Sequence, residues 1–245
     1  MEHTATGPAP HPGARPSPLP LTERQEARRR SILDATTRLA CRGGFDAVQM
    51  REVAETSGVA LGTLYRYFPS KIHLLVATME DQLGQLHTAL RQRPPAATAP
   101  SERVADTLLR AFRALQREPQ LADAMVRALI FADRSVSAEV ATVSRLTTTI
   151  ILDAMGTDAA AGDTGPGGTD AGSGTDTDTG SGTDTGSGSG SGGTDADGTD
   201  VDPALLSAVR VIEHTWHAAL VAWLSGRSPV DQVTEDIRTA TRLLD

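Results

Sequence analysis

The chain has 245 residues, enough for one or two domains with a real core. It is 39% hydrophobic but only 3% aromatic, so aliphatic side chains must supply most of the packing. A lone cysteine, Cys41, excludes an intramolecular disulfide and a cysteine-based zinc site, and no apolar run approaches the roughly 18 residues of a membrane span.

The net charge of −8 is concentrated in one place. Residues 156–202 hold ten Asp and no Lys or Arg, which leaves the rest of the chain at +2. From Leu21 to Lys71 nine basic residues stand against six acidic ones, so the overall acidity does not exclude nucleic acid. Arg outnumbers Lys by 22 to 1, and the single lysine is Lys71.

Residues 1–20 are Pro-rich and lack the charged-then-apolar pattern of a signal peptide; they read as a disordered tail on a cytoplasmic protein. Thr22 opens the first helix, with Gln25 in the capping-box position. Ile32, Leu33, Ala35, Leu39 and Ala40 form its apolar stripe, Cys41 reads as core, and Gly43 and Gly44 are expected to end it.

Residues 50–71, MREVAETSGVALGTLYRYFPSK, read as two short helices around a tight turn, followed by the start of a third. Met50, Val53 and Ala54 share one face of the first helix, and Gly58 sits where the turn needs a positive φ. Leu64 and Phe68, four apart, face inward from the second helix. Its outward face carries Leu61, Gly62, Thr63, Arg66 and Tyr67, with Tyr65 at the edge. Small residues, hydroxyls and an Arg suit close approach to a DNA major groove. Ser70 reads as an N-cap, which places Lys71 in the first turn of the next helix. A cation there opposes the helix dipole unless an incoming phosphate reverses the sign. A solvated surface lysine is the other reading. The run Arg28-Arg29-Arg30 likewise reads as a solvated face or as a contact to DNA backbone.

A long helix follows over about 70–91, with Ile72, Leu75, Val76, Met79, Leu83 and Leu86 as its stripe. After the PPAATAP loop, Ser101 is expected to cap a helix carrying Val104, Leu108, Phe112 and Leu115. Pro119 starts another with Leu121, Met125, Leu129 and Ile130, and a third runs from about Ser135 to Met155. Leu108, Phe112, Met125, Leu129, Phe131 and Trp216 line a small-molecule pocket or are simply core.

Residues 156–202, almost all Gly, Ser, Thr and Asp, cannot bury enough apolar surface to fold and read as a disordered insertion. Order returns at Pro203, a favoured N1 residue. Leu205, Val209, Ile212, Trp216, Leu220 and Trp223 recur at helical spacing. After Pro229, Val230, Val233, Ile237, Ala240 and Leu244 form an a/d seam. A homodimer interface built on Leu220, Trp223, Val230, Val233, Ile237 and Leu244 is expected; intramolecular packing is the alternative. Glu213, His214 and His217 show a metal-capable i, i+3 histidine pair without a supporting third ligand, so a packed or pocket histidine is the other reading, and no metal or cofactor is expected.

The stretch GGFDAVQMREVAETSGVALGTLYRYFPSKIHLLVATM resembles the DNA-binding domain of the TetR family of bacterial repressors. REPQLADAMVRALIFADRSVSAEV and TWHAALVAWLSGR are similar to the members of that family that repress steroid and cholesterol degradation. The resemblance implies an all-α fold. A helix-turn-helix domain would occupy 21–70 and a helical ligand-binding and dimerisation domain 71–245, interrupted by the insertion. It further implies that Gln49 touches phosphate, Arg51 reaches a base edge, Thr63, Tyr65 and Tyr67 meet backbone and bases, Gly62 permits close approach, and Lys71 clamps a phosphate. The implied function is a repressor that binds a double-stranded operator and is released by a small apolar effector, a steroid-derived acyl-CoA. Alternatives are an effector-independent dimeric DNA-binding protein and a regulator answering a different hydrophobic ligand. The sequence has no P-loop, GxSxG elbow, Rossmann fingerprint or convincing triad, so an enzyme is not expected.

Lengthening a loop from ~6 to ~48 residues costs only about 2 kcal/mol of closure entropy. Replacing residues 157–201 with a short Gly-Ser loop should therefore leave folding and dimerisation intact and raise stability by no more than about 2 kcal/mol. Affinity for DNA at low salt should hold or rise as negative charges are lost, as a denaturation curve and a binding titration would show.

Overall fold

The computed structural model describes residues 22–156 and 202–245. The expected tail and nearly all of the expected insertion lie outside the described residues. Nine helices occur among the described residues: α1 (Glu23–Ala47), α2 (Met50–Ser57), α3 (Leu61–Tyr67), α4 (Lys71–Gln92), α5 (Pro100–Arg117), α6 (Pro119–Ile130), α7 (Ser137–Met155), α8 (Pro203–Leu224) and α9 (Val230–Thr241). Short 3-10 turns lie at Arg134–Val136 and Arg242–Leu244, and no strand occurs among the described residues. The fold is all-α.

The helices form two compact units. Of the described residues, the first takes 22–81 together with Glu118–Val140; the second takes Gln82–Arg117, 141–156 and 202–245.

In the first unit α1 is the central helix. Its capping box closes as expected: the Thr22 hydroxyl accepts from the Gln25 amide, and Gln25 Oε1 accepts from the Thr22 amide at 2.7 Å. Ile32, Leu33, Leu39 and Ala40 are buried against α2 and α6. The Gly43-Gly44 pair ends the regular helix as expected: neither glycine has helical backbone, Gly44 lies at φ +64°, and the short turn that runs on to Ala47 follows across a kink. Gly44 also marks the close approach of α6, because a Cβ there would come within 2.9 Å of Gln120 Oε1 and 3.2 Å of Asp123 Oδ2.

In the second unit, α9 packs against α5 and α8. Phe112 of α5 lies edge-on to Trp216 and Trp223 of α8, at centroid distances of 6.5 and 5.1 Å. His87 Nε2 meets Asp153 Oδ2 at 2.6 Å, linking α4 to α7, and Thr148 Oγ1 donates to Glu213 Oε1 at 2.5 Å, linking α7 to α8. Two starts differ from expectation. Ser101 does not cap α5; Pro100 opens the helix and Ser101 is buried inside it. α7 begins at Ser137, after a turn whose N-cap Asp133 accepts from the Ser135 amide at 2.8 Å.

The middle of the α9 seam is covered within the chain, while Val230 and Leu244 at its ends are not fully covered. Val233 and Ile237 are 0% and 1% exposed and Ala240 is buried beside them. Ile237→Ala should cost about 2–4 kcal/mol of unfolding free energy. A residue buried inside one chain predicts that this loss is equal at low and high protein concentration, which denaturant titration at two concentrations would measure.

Candidate nucleic-acid interface

α2 and α3 meet at a turn set by Gly58, whose φ is +70°. The Val59 amide returns to the Ala54 carbonyl at 3.0 Å and the Gly58 amide bonds the end of α2, the pattern of a Schellman C-cap. A Cβ at Gly58 would touch nothing within 4 Å, so backbone conformation alone selects glycine. Ser31 Oγ on α1 donates to the Ser57 carbonyl at 3.2 Å, satisfying one of the open acceptors at the end of α2.

α3 is anchored by Leu64, fully buried, and by Phe68 just beyond its end, 5% exposed. Those two side chains fix its rotation. Gly62, Tyr65 and Arg66 then lie at the surface, with Thr63 and Tyr67 half-buried. Tyr65 is 46% exposed, an unusual position for a large ring. Gly62 has helical backbone, and a Cβ there would meet nothing within 4 Å, so the chain itself does not require glycine at this position. Arg51 is exposed in the first turn of α2. Gln49 is the α2 N-cap residue, but its amide makes no cap bond; Nε2 donates to the Asp46 carbonyl at 2.9 Å.

Lys71 follows Ser70, whose hydroxyl accepts from the His73 amide, so the cap expected there is present. The Lys71 ammonium lies 3.9 Å from the centroid of the Phe45 ring. Partial burial pulls its pKa below the usual lysine value; Asp46 opposes that shift and Arg127 adds to it. Arg127, on α6, sits 4.8 Å from the same ring and 6.0 Å from the Phe131 ring. It also pairs with Asp46 at 3.3 Å and Asp123 at 3.7 Å. Phe45, Asp46 and Arg127 were not singled out from sequence, because no local pattern joins positions so far apart.

The six sequence-predicted pocket residues are divided between the units. Leu108, Phe112 and Trp216 are buried in the second. Met125 is buried and Leu129 half-buried in the first, and Phe131 there is 54% exposed, 5.6 Å from the Phe45 ring centroid. An open groove of about 390 Å³ lies in the second unit, lined by Ser101, Asp106, Arg113, Arg238, Thr241 and Arg242 among others, and includes none of the six. Of the sequence-predicted dimer residues, Leu220, Val233 and Ile237 are buried, Trp223 and Leu244 half-buried, and Val230 41% exposed. His214 is exposed and His217 half-buried, with burial pulling the His217 imidazole below its ordinary pKa. Cys41 is half-buried rather than core, and burial together with a hydrogen bond to Glu118 pushes its thiol up to about 11. A thiol held so high is a poor nucleophile at neutral pH.

Residues 32–78 match the bacterial regulatory proteins of the tetR family, and residues 97–164 match the tetracyclin repressor-like C-terminal domain. The HTH-type transcriptional repressor KstR of Rhodococcus jostii (strain RHA1) is 37% identical over 220 residues, 90% of this chain and 84% of that protein. A TetR transcriptional regulator from Rhodococcus sp. RHA1 superposes with a TM-score of 0.68 at 31% identity, covering 91% of this chain and 97% of that one. Thermus thermophilus FadR, a TetR-family repressor crystallised with lauroyl-CoA, has the same fold, with a TM-score of 0.58 at 17% identity over 88% of this chain and 92% of that one. With both halves of the family matched and a repressor aligned along most of its length, the chain belongs to the TetR family of bacterial regulatory proteins, as a DNA-binding repressor close to KstR.

Proposed function

We propose that this repressor binds a pseudo-palindromic operator as a homodimer and releases it when a large, partly apolar acyl-CoA enters the second unit. The observation that carries the DNA reading is the exposed face of α3. Burial of Leu64 and Phe68 leaves Gly62, Tyr65 and Arg66 at the surface with Thr63 and Tyr67 half-buried beside them, and Gly62 stays small with no demand from its own chain. In this reading α3 enters the major groove, Arg51 reads a base edge, Gln49 and Lys71 meet phosphates, and each half of the palindrome takes one copy. Acting on the chromosome places the protein in the cytoplasm.

Dimerisation uses the outer faces of α8 and α9. Leu206, Val211 and Val230 are 37%, 48% and 41% exposed there, apolar positions that a second copy would cover. The effector reading is supported by the likeness to KstR along most of both chains and by the lauroyl-CoA held by a FadR of the same fold. A steroid-ring acyl-CoA is the specific ligand proposed.

The roles of Arg51 and Lys71 separate cleanly on duplexes enriched from a random library by the unmodified protein. Arg51→Ala should cost about 1–3 kcal/mol on the preferred duplex and relax preference at one base pair per half-site. Lys71→Ala should weaken all duplexes alike and lower the slope of log affinity against log salt by about 1. Equal loss of sequence preference in both variants would overturn the assignment.

Steroid-ring acyl-CoAs should displace the enriched duplex in a fluorescence anisotropy titration, and the duplex should weaken acyl-CoA binding by the same factor. Release by another apolar ligand alone would keep the mechanism and reject the steroid. No release by any acyl-CoA or apolar ligand would favour an effector-independent repressor.

A further inference from the structure

We infer that Arg127 on α6 keeps Asp46 away from Lys71, so that the placement of α6 against α1 sets how much of the Lys71 charge a DNA phosphate can use. The inference rests on the reading of Lys71 as a phosphate contact.

Four charged groups share one small surface of the first unit. Lys71 lies 3.9 Å from the Phe45 ring centroid, and Arg127 lies 4.8 Å from the same centroid. Asp46 adjoins Phe45 in the chain and is bonded by Arg127 at 3.3 Å, while Asp123 holds Arg127 from one turn back on α6 at 3.7 Å. Among the described residues Lys71 makes no ion pair of its own. An aromatic face attracts an ammonium without cancelling its charge, whereas a carboxylate cancels it. Which of the two Lys71 meets therefore decides what a phosphate would encounter.

Arg127 is suited to the separating role. A guanidinium is planar, always charged, and presents several donors, so it can lie near a ring and serve two carboxylates together. Remove that charge and Asp46 loses its partner. The cation next to it is then Lys71, on the adjoining ring. An Asp46–Lys71 pair would neutralise the ammonium at the start of α4, where a phosphate would otherwise meet both that ammonium and the helix N-terminus. The Asp46 side chain is 80% exposed, so its pairing contributes little to fold stability. The exchange of partners is thus read in DNA affinity rather than in unfolding.

The test uses full-length protein, a duplex enriched from a random library, and a random-sequence duplex of equal length. Arg127→Met keeps an apolar stem by Phe45 and removes the charge; Arg127→Gln is the second variant should that one not fold. Arg127→Met should lower affinity for both duplexes about five-fold and reduce the salt slope by about 1. Asp46→Asn should change affinity less than about two-fold by itself, yet restore most of the loss in the Arg127→Met background, a non-additivity expected only of coupled groups. In a Lys71→Gln background, Arg127→Met should add no further loss. An unrestored double variant, or an undiminished Arg127→Met effect without Lys71, would mean that Arg127 acts by packing or by its own DNA contact, and the inference falls. If Lys71→Gln alone leaves affinity and salt slope unchanged, the phosphate-contact reading itself falls.

Discussion

A seven-residue helix has almost no stability of its own in water, because nucleation consumes most of what its hydrogen bonds return. α3 is such a helix. It persists because Leu64 and Phe68 are buried, and that same burial sets which residues face outward. The reading face is therefore a by-product of core packing. α1 supplies much of the support: its apolar stripe is buried against α2 and α6, Ser31 bonds the end of α2, and Arg29 approaches the Phe68 ring at 5.9 Å.

Aromatic rings are scarce in this chain, and most of them gather in small groups, one beside cations and one in tight packing. In the first unit Phe45 gathers Lys71 and Arg127, and Phe131 stands close by at 5.6 Å. In the second, Phe112 packs edge-on against both tryptophans of the chain. The remaining core is aliphatic, with Ile32, Leu33, Leu74, Leu75, Ile151, Ile212 and Ile237 among its largest fully buried side chains. A ring in such a setting contributes a flat, polarisable face that aliphatic neighbours cannot offer.

What was legible in the sequence was local. Thr22 with Gln25, Gly58, and the Leu64–Phe68 pair each act within a few residues, and each appears where its chemistry requires. Gly43-Gly44 stops the regular helix as its local signal requires, whereas the close approach of Gln120 and Asp123 to Gly44 has no local signal. Ser101 misled because serine and proline both mark helix starts, and Pro100 took the position first. The apolar stripes of α5, α6 and α8 are readable as stripes, but periodicity carries no information on which of two units will bury them. Hence Met125 and Phe112, chosen together, lie in different units. The α9 seam poses a related ambiguity, since heptad-like spacing demands a partner helix without saying whose chain provides it. The grouping of Phe45, Lys71 and Arg127 has no sequence signature at all.

Gly62 separates two kinds of selection. Glycine is less favourable than alanine in a helix, by about 0.8–1.0 kcal/mol in an interior and by less at the second position of α3, and position 62 has room for the extra methyl group. A population selected only for folding should therefore drift from glycine towards alanine there. Persistence of glycine across a lineage would record a pressure from outside the chain, imposed by whatever surface must come within a methyl group's width of the α3 backbone. The same reasoning makes position 62 a marker of divergence. In a descendant that has lost its operator, it should be among the first residues of α3 to change, well before Leu64.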